Sequence, residues 1–429
     1  MRKEGRPGRD PIQGRRPLAV LLLALAALAA RAGDREADLH ALAAPPEAER
    51  SVETLARYLA GEGSPARTER EKARAIFRWI TDRVAYAPPG GGGGSPAEVL
   101  ARREAVCFGY AGLFEALCTA AGLRCAVVEG FGKGRTYTVG DPAEGPPNHA
   151  WNAVFAEGRW NLVDCTWGAG RTEEGGRFVR RFDPFYFFTP PELFAGDHLP
   201  EDPRWQLLER PLSREAFEAL PHVQSTFYAL GLAWEGERAG PLRTSSGEAV
   251  VPVRVPPGAG LMARLLDREG RDLGQRVLLS RKGERVEVRA LCPGQGRFVL
   301  RLLGRKGAGP DPFDWAADLL LVSEGTEGAR RHYPFLYGEW VDLGCSLEEP
   351  LYDPLPAGKR VSFRLSAPGA AEVVVVSQDR WERLGPAPGG FAGTVKVKRG
   401  EVKVAALFPG RPGYTVLLRY EAGSASGPD

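Results

Sequence analysis

An α+β catalytic region followed by two β-sandwich domains of immunoglobulin-like type is the fold class this sequence predicts. Three observations carry it. Apolar residues recur at helical spacing between Ser95 and Leu123. They then alternate strictly along His149 to Phe155 and Trp160 to Thr166. After about Ala229 the helical period disappears, and short strand-like stretches separated by glycine and proline take over.

The N-terminal segment comes first. Arg15-Arg16 precede an apolar run from Pro17 to Ala30, and Ala30-Arg31-Ala32 fits the small-residue rule for signal cleavage before Gly33. A spanning helix needs ~20 apolar residues. The segment 1–32 therefore reads as a cleaved signal rather than an anchor, with no cysteine after it to carry a lipid and no complete twin-arginine pattern. The expected product is exported (periplasmic, secreted or at the cell surface) and has no stable membrane anchor after cleavage.

Composition narrows the partners. The 429 residues carry a formal charge of +3, but the first 32 hold seven basic and two acidic residues, leaving the remainder about −2. No basic patch for nucleic acid follows from that balance. With 43% hydrophobic and 26% charged residues the chain is globular and long enough for roughly two to four domains. The six cysteines (Cys107, Cys118, Cys125, Cys165, Cys292 and Cys345) lack C-x-x-C spacing, which argues against structural zinc, and are too sparse for a disulfide scaffold. Cys118 and Cys125 read as core residues, although an exported protein can bridge such a pair.

Two helices are expected next. Ser95-Pro96-Ala97-Glu98 has the form of a capping box with proline at the first helical position. Cys107 opens the second helix, whose apolar Ala111, Phe114, Leu117, Cys118 and Ala121 share one face and whose C-terminal end suits Gly122. At a helix start, free backbone N–H groups and the positive end of the dipole stabilise a thiolate. A cysteine there is often only a small buried apolar residue, so its meaning depends on what lies nearby.

What lies nearby is a hairpin. Glu157-Gly158 forms the turn, and pairing Ala156 with Arg159 sets the register. Trp151 then faces Asp164 and His149 faces Thr166, so His149 and Asp164 are diagonal neighbours on one sheet face, ~7 to 8 Å apart at the backbone. A histidine in a strand is commonly structural, but a helix-start cysteine, a downstream histidine and an acid in register with it form the relation thiol enzymes use. The expected catalytic residues are Cys107, His149 and Asp164.

Two glycine-rich places carry less. Gly90 to Gly94 has no Lys-Ser or Lys-Thr at Walker spacing and reads as a flexible loop. Gly130-Phe131-Gly132-Lys133-Gly134 ends a strand from Cys125 to Glu129, lacks a dinucleotide fingerprint and reads as a loop beside the thiol. Trp79 and Trp151 read as core rather than groove residues.

The tail contains an internal repeat. Val251 to Ala259 resembles Val361 to Ala370, and Ala290-Leu291-Cys292-Pro293-Gly294 resembles Ala406-Leu407-Phe408-Pro409-Gly410. Each second block runs into an alternating strand, Arg297 to Leu303 and Tyr414 to Tyr420. Two such units argue for β-sandwiches over 230–325 and 326–429, after a catalytic domain over 33–229 with an N-terminal helical segment. The Cys-Trp-Cys pattern of antibody domains is absent.

Val106-Cys107-Phe108-Gly109-Tyr110-Ala111, Asn148-His149-Ala150-Trp151-Asn152 and Asp164-Cys165-Thr166-Trp167-Gly168 resemble the cysteine, histidine and aspartate motifs of the transglutaminase-like superfamily. Within it the kyphoscoliosis peptidase family is most similar, through Ala75 to Ile80 followed by Val84-Ala85-Tyr86, Gly130 to Gly134, and the segments Phe185 to Pro190, Asp197-His198-Leu199-Pro200 and Trp205 to Leu208. The resemblance covers Glu71 to about Leu230, and Ala105 stands where that family often has glycine. It implies a papain-like, transglutaminase-like core in which Cys107 is the nucleophile, His149 the general base and Asp164 the residue orienting it. The implied reaction is acyl transfer from an amide of a protein or peptide substrate, without metal or cofactor. Water as acceptor makes a peptidase or amidase, and a lysine amine makes a cross-linking transglutaminase. Hydrolysis is preferred because the kyphoscoliosis resemblance exceeds that to calcium-dependent cross-linking enzymes and no calcium-loop motif is present. A non-catalytic adhesion or scaffold protein is the other class, since paired sandwiches are common binding modules and offer a surface for a protein partner.

Overall fold

The computed structural model describes residues 32–88, 91–173, 176–236, 240–309, 311–325 and 331–423. The expected signal, Ala32 apart, and part of the expected junction between sandwiches fall outside the described residues. The chain divides into two compact units, one of residues up to 132 with 145–211, the other of 133–144 with 212 onward.

In the first unit, helices α1 (32–42), α2 (Val52–Ala60) and α3 (Glu69–Arg83) precede a two-residue strand β1 (Ala85–Tyr86). Each of α2 and α3 starts at a reciprocal cap, Ser51 with Thr54 and Thr68 with Glu71, so their first N–H groups are satisfied by side chains. Helix α4 (Pro96–Arg102) starts at the expected Ser95–Glu98 capping box, and strand β2 (Glu104–Ala105) pairs in parallel with β1. Helix α5 (Cys107–Ala120) follows, with Cys107 as its first residue, and Gly122 beyond its end takes the left-handed φ of 76°. The burial of α5 is wider than a single stripe: Tyr110 and Leu113 are buried along with Ala111, Phe114, Leu117 and Cys118. It is a central helix, packed in one core with Phe77, Trp79, Ile80, Val154 and Val163. Trp79 and Trp151 are both core residues, in separate clusters.

The sheet of this unit is antiparallel. Strands β3 (Cys125–Gly132), β4 (His149–Ala156) and β5 (Arg159–Val163) are followed by α6 (Cys165–Ala169), the small β6 (Gly170–Thr172) and β7 (Phe178–Arg180) pair, β8 (Phe187–Thr189) and β9 (His198–Pro200). The order is β8-β5-β4-β3-β9. Ala156 pairs with Arg159 as expected, across a turn in which Glu157 and Gly158 both have positive φ, 57° and 77°. Two expectations shift. Pairing in β5 stops at Val163 instead of running to Thr166, because Asp164 leaves the ladder to cap α6. Strand β3 runs on through Gly132 because β9 pairs with its end, Gly132 opposite His198.

In the second unit, strands Glu248–Arg254, Arg285–Leu291 and Val277–Lys282 form one sheet and Asp314–Ser323, Gly296–Lys306 and Ala259–Leu266 another, around a core that includes Val251, Val288, Leu265 and Leu300. His222–Val223, from the stretch expected to belong with the helical region, pairs with Asp314–Ser323. Where a second sandwich was expected, Arg360–Ser366, Glu372–Ser377, Arg380–Ala387, Gly390–Lys396, Gly400–Leu407 and Tyr414–Gly423 belong to one continuous nine-stranded sheet, because Arg380–Ala387 pairs on both sides. The repeat matches strand positions: Glu248–Arg254 with Arg360–Ser366, and Gly296–Lys306 with Tyr414–Gly423. No helix among the described residues is long and apolar enough to cross a membrane.

Candidate active site

Cys107 is placed by the start of α5, and three contacts hold that helix. Tyr110 Oη donates to Val84 O at 2.7 Å, tying the first turn to the end of α3. Asn152 Nδ2 donates to Ala111 O at 3.0 Å, tying α5 to β4. Gly92, from the glycine-rich segment, lies so close to Val106 that a Cβ there would meet Val106 N at 2.7 Å, and its carbonyl accepts from Val106 N. The described part of that segment thus packs on the residue before the thiol. Cys107 itself is 5% exposed, while its neighbour Phe108 is 44% exposed.

His149 begins β4 and is 6% exposed. Its Nε2 lies 2.8 Å from Asp164 Oδ2, and Cys107 is near enough to bear on the charge of the same ring. Two of the residues expected from sequence, His149 and Asp164, are thus in direct contact, although Asp164 makes it from the N-cap of α6 and not from a ladder position opposite Trp151. Trp167 stacks on the imidazole with centroids 4.7 Å apart and planes at 19°. On its other flank, a Cβ on Gly132 would sit 3.1 Å from the Cβ, Cγ and Cδ2 of His149. A Cβ on Gly130 would meet Leu199 O at 2.2 Å and the Trp151 ring at 2.7 Å. The two glycines expected beside the thiol thus lie in strand β3, where only a missing side chain lets β9 and the His149 ring approach.

Asp164 is fully buried and wholly satisfied. Oδ1 accepts from the N–H groups of Thr166 and Trp167 at 2.7 and 3.1 Å, as an N-cap residue does. Oδ2 faces His149 and, at 3.2 Å, His198 Nε2. Burial alone would push its carboxyl up, but the His149 charge and the hydrogen bonds from His149 and His198 outweigh that and hold it well below the usual range. For His149, burial alone would lower the imidazole. The Asp164 charge and hydrogen bond, with the Cys107 contact added, carry it up to about 10. The ring thus holds a proton at neutral pH, the state that stabilises an adjacent thiolate.

His198 was not among the residues expected in the site, although Asp197-His198 stood out in the sequence as part of a similarity. It is 1% exposed, with Nδ1 2.6 Å from Asp197 Oδ1, and Phe194 stacks on it at 3.8 Å. Tyr186 Oη reaches Asp197 Oδ2 at 3.3 Å; burial and the neighbouring carboxylates of Asp197, Asp183 and Asp164 push this phenol well up, so it stays protonated and donates. Only the pairing of β9 with β3 brings this group behind Asp164, and the one sequence signal was a polar pair set in an otherwise apolar segment. Ligand atoms of His149, Asp164 and His198 lie within 4.8 Å of one another, the spread of a metal-binding group. Their contacts at 2.8 and 3.2 Å are hydrogen-bond lengths, and Asp164 and His198 present no surface through which an ion could enter.

Residues 53–165 match the sequence model of the transglutaminase-like superfamily, and residues 214–350 match that of the KY-like, immunoglobulin-like domain. A kyphoscoliosis peptidase of Mus musculus is 26% identical over 438 residues, covering 74% of this chain and 66% of its own length. One of Homo sapiens is 36% identical over 296 residues, covering 68% of this chain and 42% of its own. Hillarin of Drosophila melanogaster is 29% identical over 294 residues, with 62% and 36% covered. This chain thus spans about two thirds or less of the length of the curated relatives it matches.

Proposed function

Because the chain belongs, through residues 53–165, to the transglutaminase-like superfamily, we propose that it is an exported, cysteine-dependent acyl-transfer enzyme, a peptidase or amide hydrolase working through an acyl-enzyme on Cys107. The observation that carries this reading is the His149 imidazole, whose Nε2 lies 2.8 Å from the buried Asp164 carboxylate and whose charge Cys107, the first residue of α5, is near enough to affect. In the proposed step the thiol proton resides on His149 and the thiolate attacks the substrate carbonyl carbon. The backbone N–H of Cys107, at the first position of α5, has no partner within its helix and serves as one oxyanion donor. As the tetrahedral intermediate collapses, the carbon–nitrogen bond breaks, His149 gives its proton to the leaving amine and a thioester remains. Water, deprotonated by His149, then attacks the thioester, and the thiolate leaves as the acid forms. The same thioester would cross-link if a lysine amine replaced water, so the acceptor is read by comparing acid with amide products.

A reactive ester tests the reading directly. Wild-type protein is expected to accumulate an acyl adduct on Cys107, visible by mass spectrometry, and Cys107→Ser to lose turnover by about a thousandfold or more with an unchanged melting temperature. Turnover surviving in Cys107→Ser, His149→Ala and Asp164→Asn alike would leave the adhesion or scaffold reading in its place. Export is part of the proposal, and a mature N-terminus at Gly33, found by sequencing protein recovered outside the cytoplasm, is its expected mark.

A further inference from the structure

Resting on the proposed thiol chemistry, we infer that His198 is a positioning residue: clamped by Asp197, it holds the face of Asp164 Oδ2 that His149 does not occupy and so fixes the carboxylate that orients the general base. From His149 the contacts form a continuous line of buried polar groups, His149 Nε2 to Asp164 at 2.8 Å, Asp164 to His198 Nε2 at 3.2 Å, His198 Nδ1 to Asp197 at 2.6 Å, and Asp197 to Tyr186 Oη at 3.3 Å. Both ring nitrogens of His198 face carboxylate oxygens. A buried carboxylate with a loose lone pair turns to find a donor, and a single oxygen shared by two imidazoles cannot turn without breaking one contact. The Thr166 and Trp167 N–H groups fix Oδ1 and leave rotation about that oxygen as the remaining freedom. His198 removes it. Packing alone does not demand this residue, since the stack on Phe194 and the edge contact with Trp151 at 4.9 Å would suit a phenylalanine equally.

The full-length protein carrying His198→Phe keeps the aromatic stack and loses both nitrogens, whereas His198→Gln keeps a donor near the Nε2 position. With a reactive ester, His198→Phe is expected to lower kcat by roughly ten- to a hundredfold with KM within about twofold, and His198→Gln to recover most of that loss. A readout independent of turnover is the low-field proton of the His149 Nε2–H···Asp164 hydrogen bond in the nuclear magnetic resonance spectrum. It should shift or broaden in His198→Phe and return toward the wild-type position in His198→Gln. Unchanged kcat and an unchanged proton in His198→Phe would overturn the inference. So would a loss that His198→Gln does not rescue, which would mark a role in packing alone. If the wild type forms no acyl adduct while the proton still responds to the two variants, the catalytic reading fails and the positioning of Asp164 by His198 stands.

Discussion

At the scale of single residues the site is a buried charge pair whose worth depends on pH. His149 is raised from its ordinary value to about 10, so its share of stability is complete below the ordinary imidazole value and is lost as pH rises through about 10. Asp164 is lowered, so its share is present above the ordinary carboxylate range and is lost as pH falls through its depressed value. The difference in melting temperature between wild type and Asp164→Asn should therefore be largest at about pH 5 to 6, between the two ordinary values, and shrink toward both extremes. Thermal scans across pH check this, and a difference that does not vary with pH would mean that the pair is not ionised in the fold.

Elements place these residues, and β3 is the most exacting of them. Gly132→Ala puts a methyl 3.1 Å from the His149 ring, which can yield by a small rotation, whereas Gly130→Ala puts one 2.2 Å from a backbone carbonyl of β9, which cannot. Gly132→Ala is thus expected to lower turnover with about 1 kcal/mol or less of destabilisation, and Gly130→Ala to cost about 1 to 3 kcal/mol or more. Chemical denaturation of the two variants gives the order. The link between α5 and β4 makes a second prediction. Asn152→Leu removes the buried donor to Ala111 O and should cost about 1 to 3 kcal/mol, lowering turnover as well because Cys107 and His149 ride on the two elements it joins.

Across the whole molecule the six thiols differ in burial and in neighbours. Burial pushes the thiols of Cys118 and Cys165 well up, that of Cys292 to about 11 and that of Cys345 to about 12. Cys107 is also buried, yet it is near enough to bear on the charge of the His149 ring, while Cys125 is the more exposed. Brief alkylation of the native protein at neutral pH, followed by peptide mass spectrometry, should modify Cys107 faster than Cys125 despite its lower exposure. In His149→Ala that preference should vanish, which separates activation by the imidazole from simple accessibility.

By itself the sequence determined whatever short-range rules govern. A capping box sets where α4 begins, a helix start places Cys107, and a two-residue turn with period-two alternation fixes the register of β4 and β5 as far as Asn152 opposite Val163, one residue short of Asp164. The repeat in the tail was legible for the same reason, because each strand keeps its own alternation wherever it pairs. Tertiary structure alone decided where pairing stops and what stands behind the Asp164 carboxylate. Asp164 leaves the strand after Val163 because its side chain caps a helix that only packing against α3 and α5 sustains. His198 reaches Asp164, across 34 positions of sequence, because β9 closes the sheet against β3 at two glycines. His222 likewise joins a strand almost a hundred residues further along. Such contacts depend on which strand edges remain free once local elements have formed, and local periodicity carries no record of that.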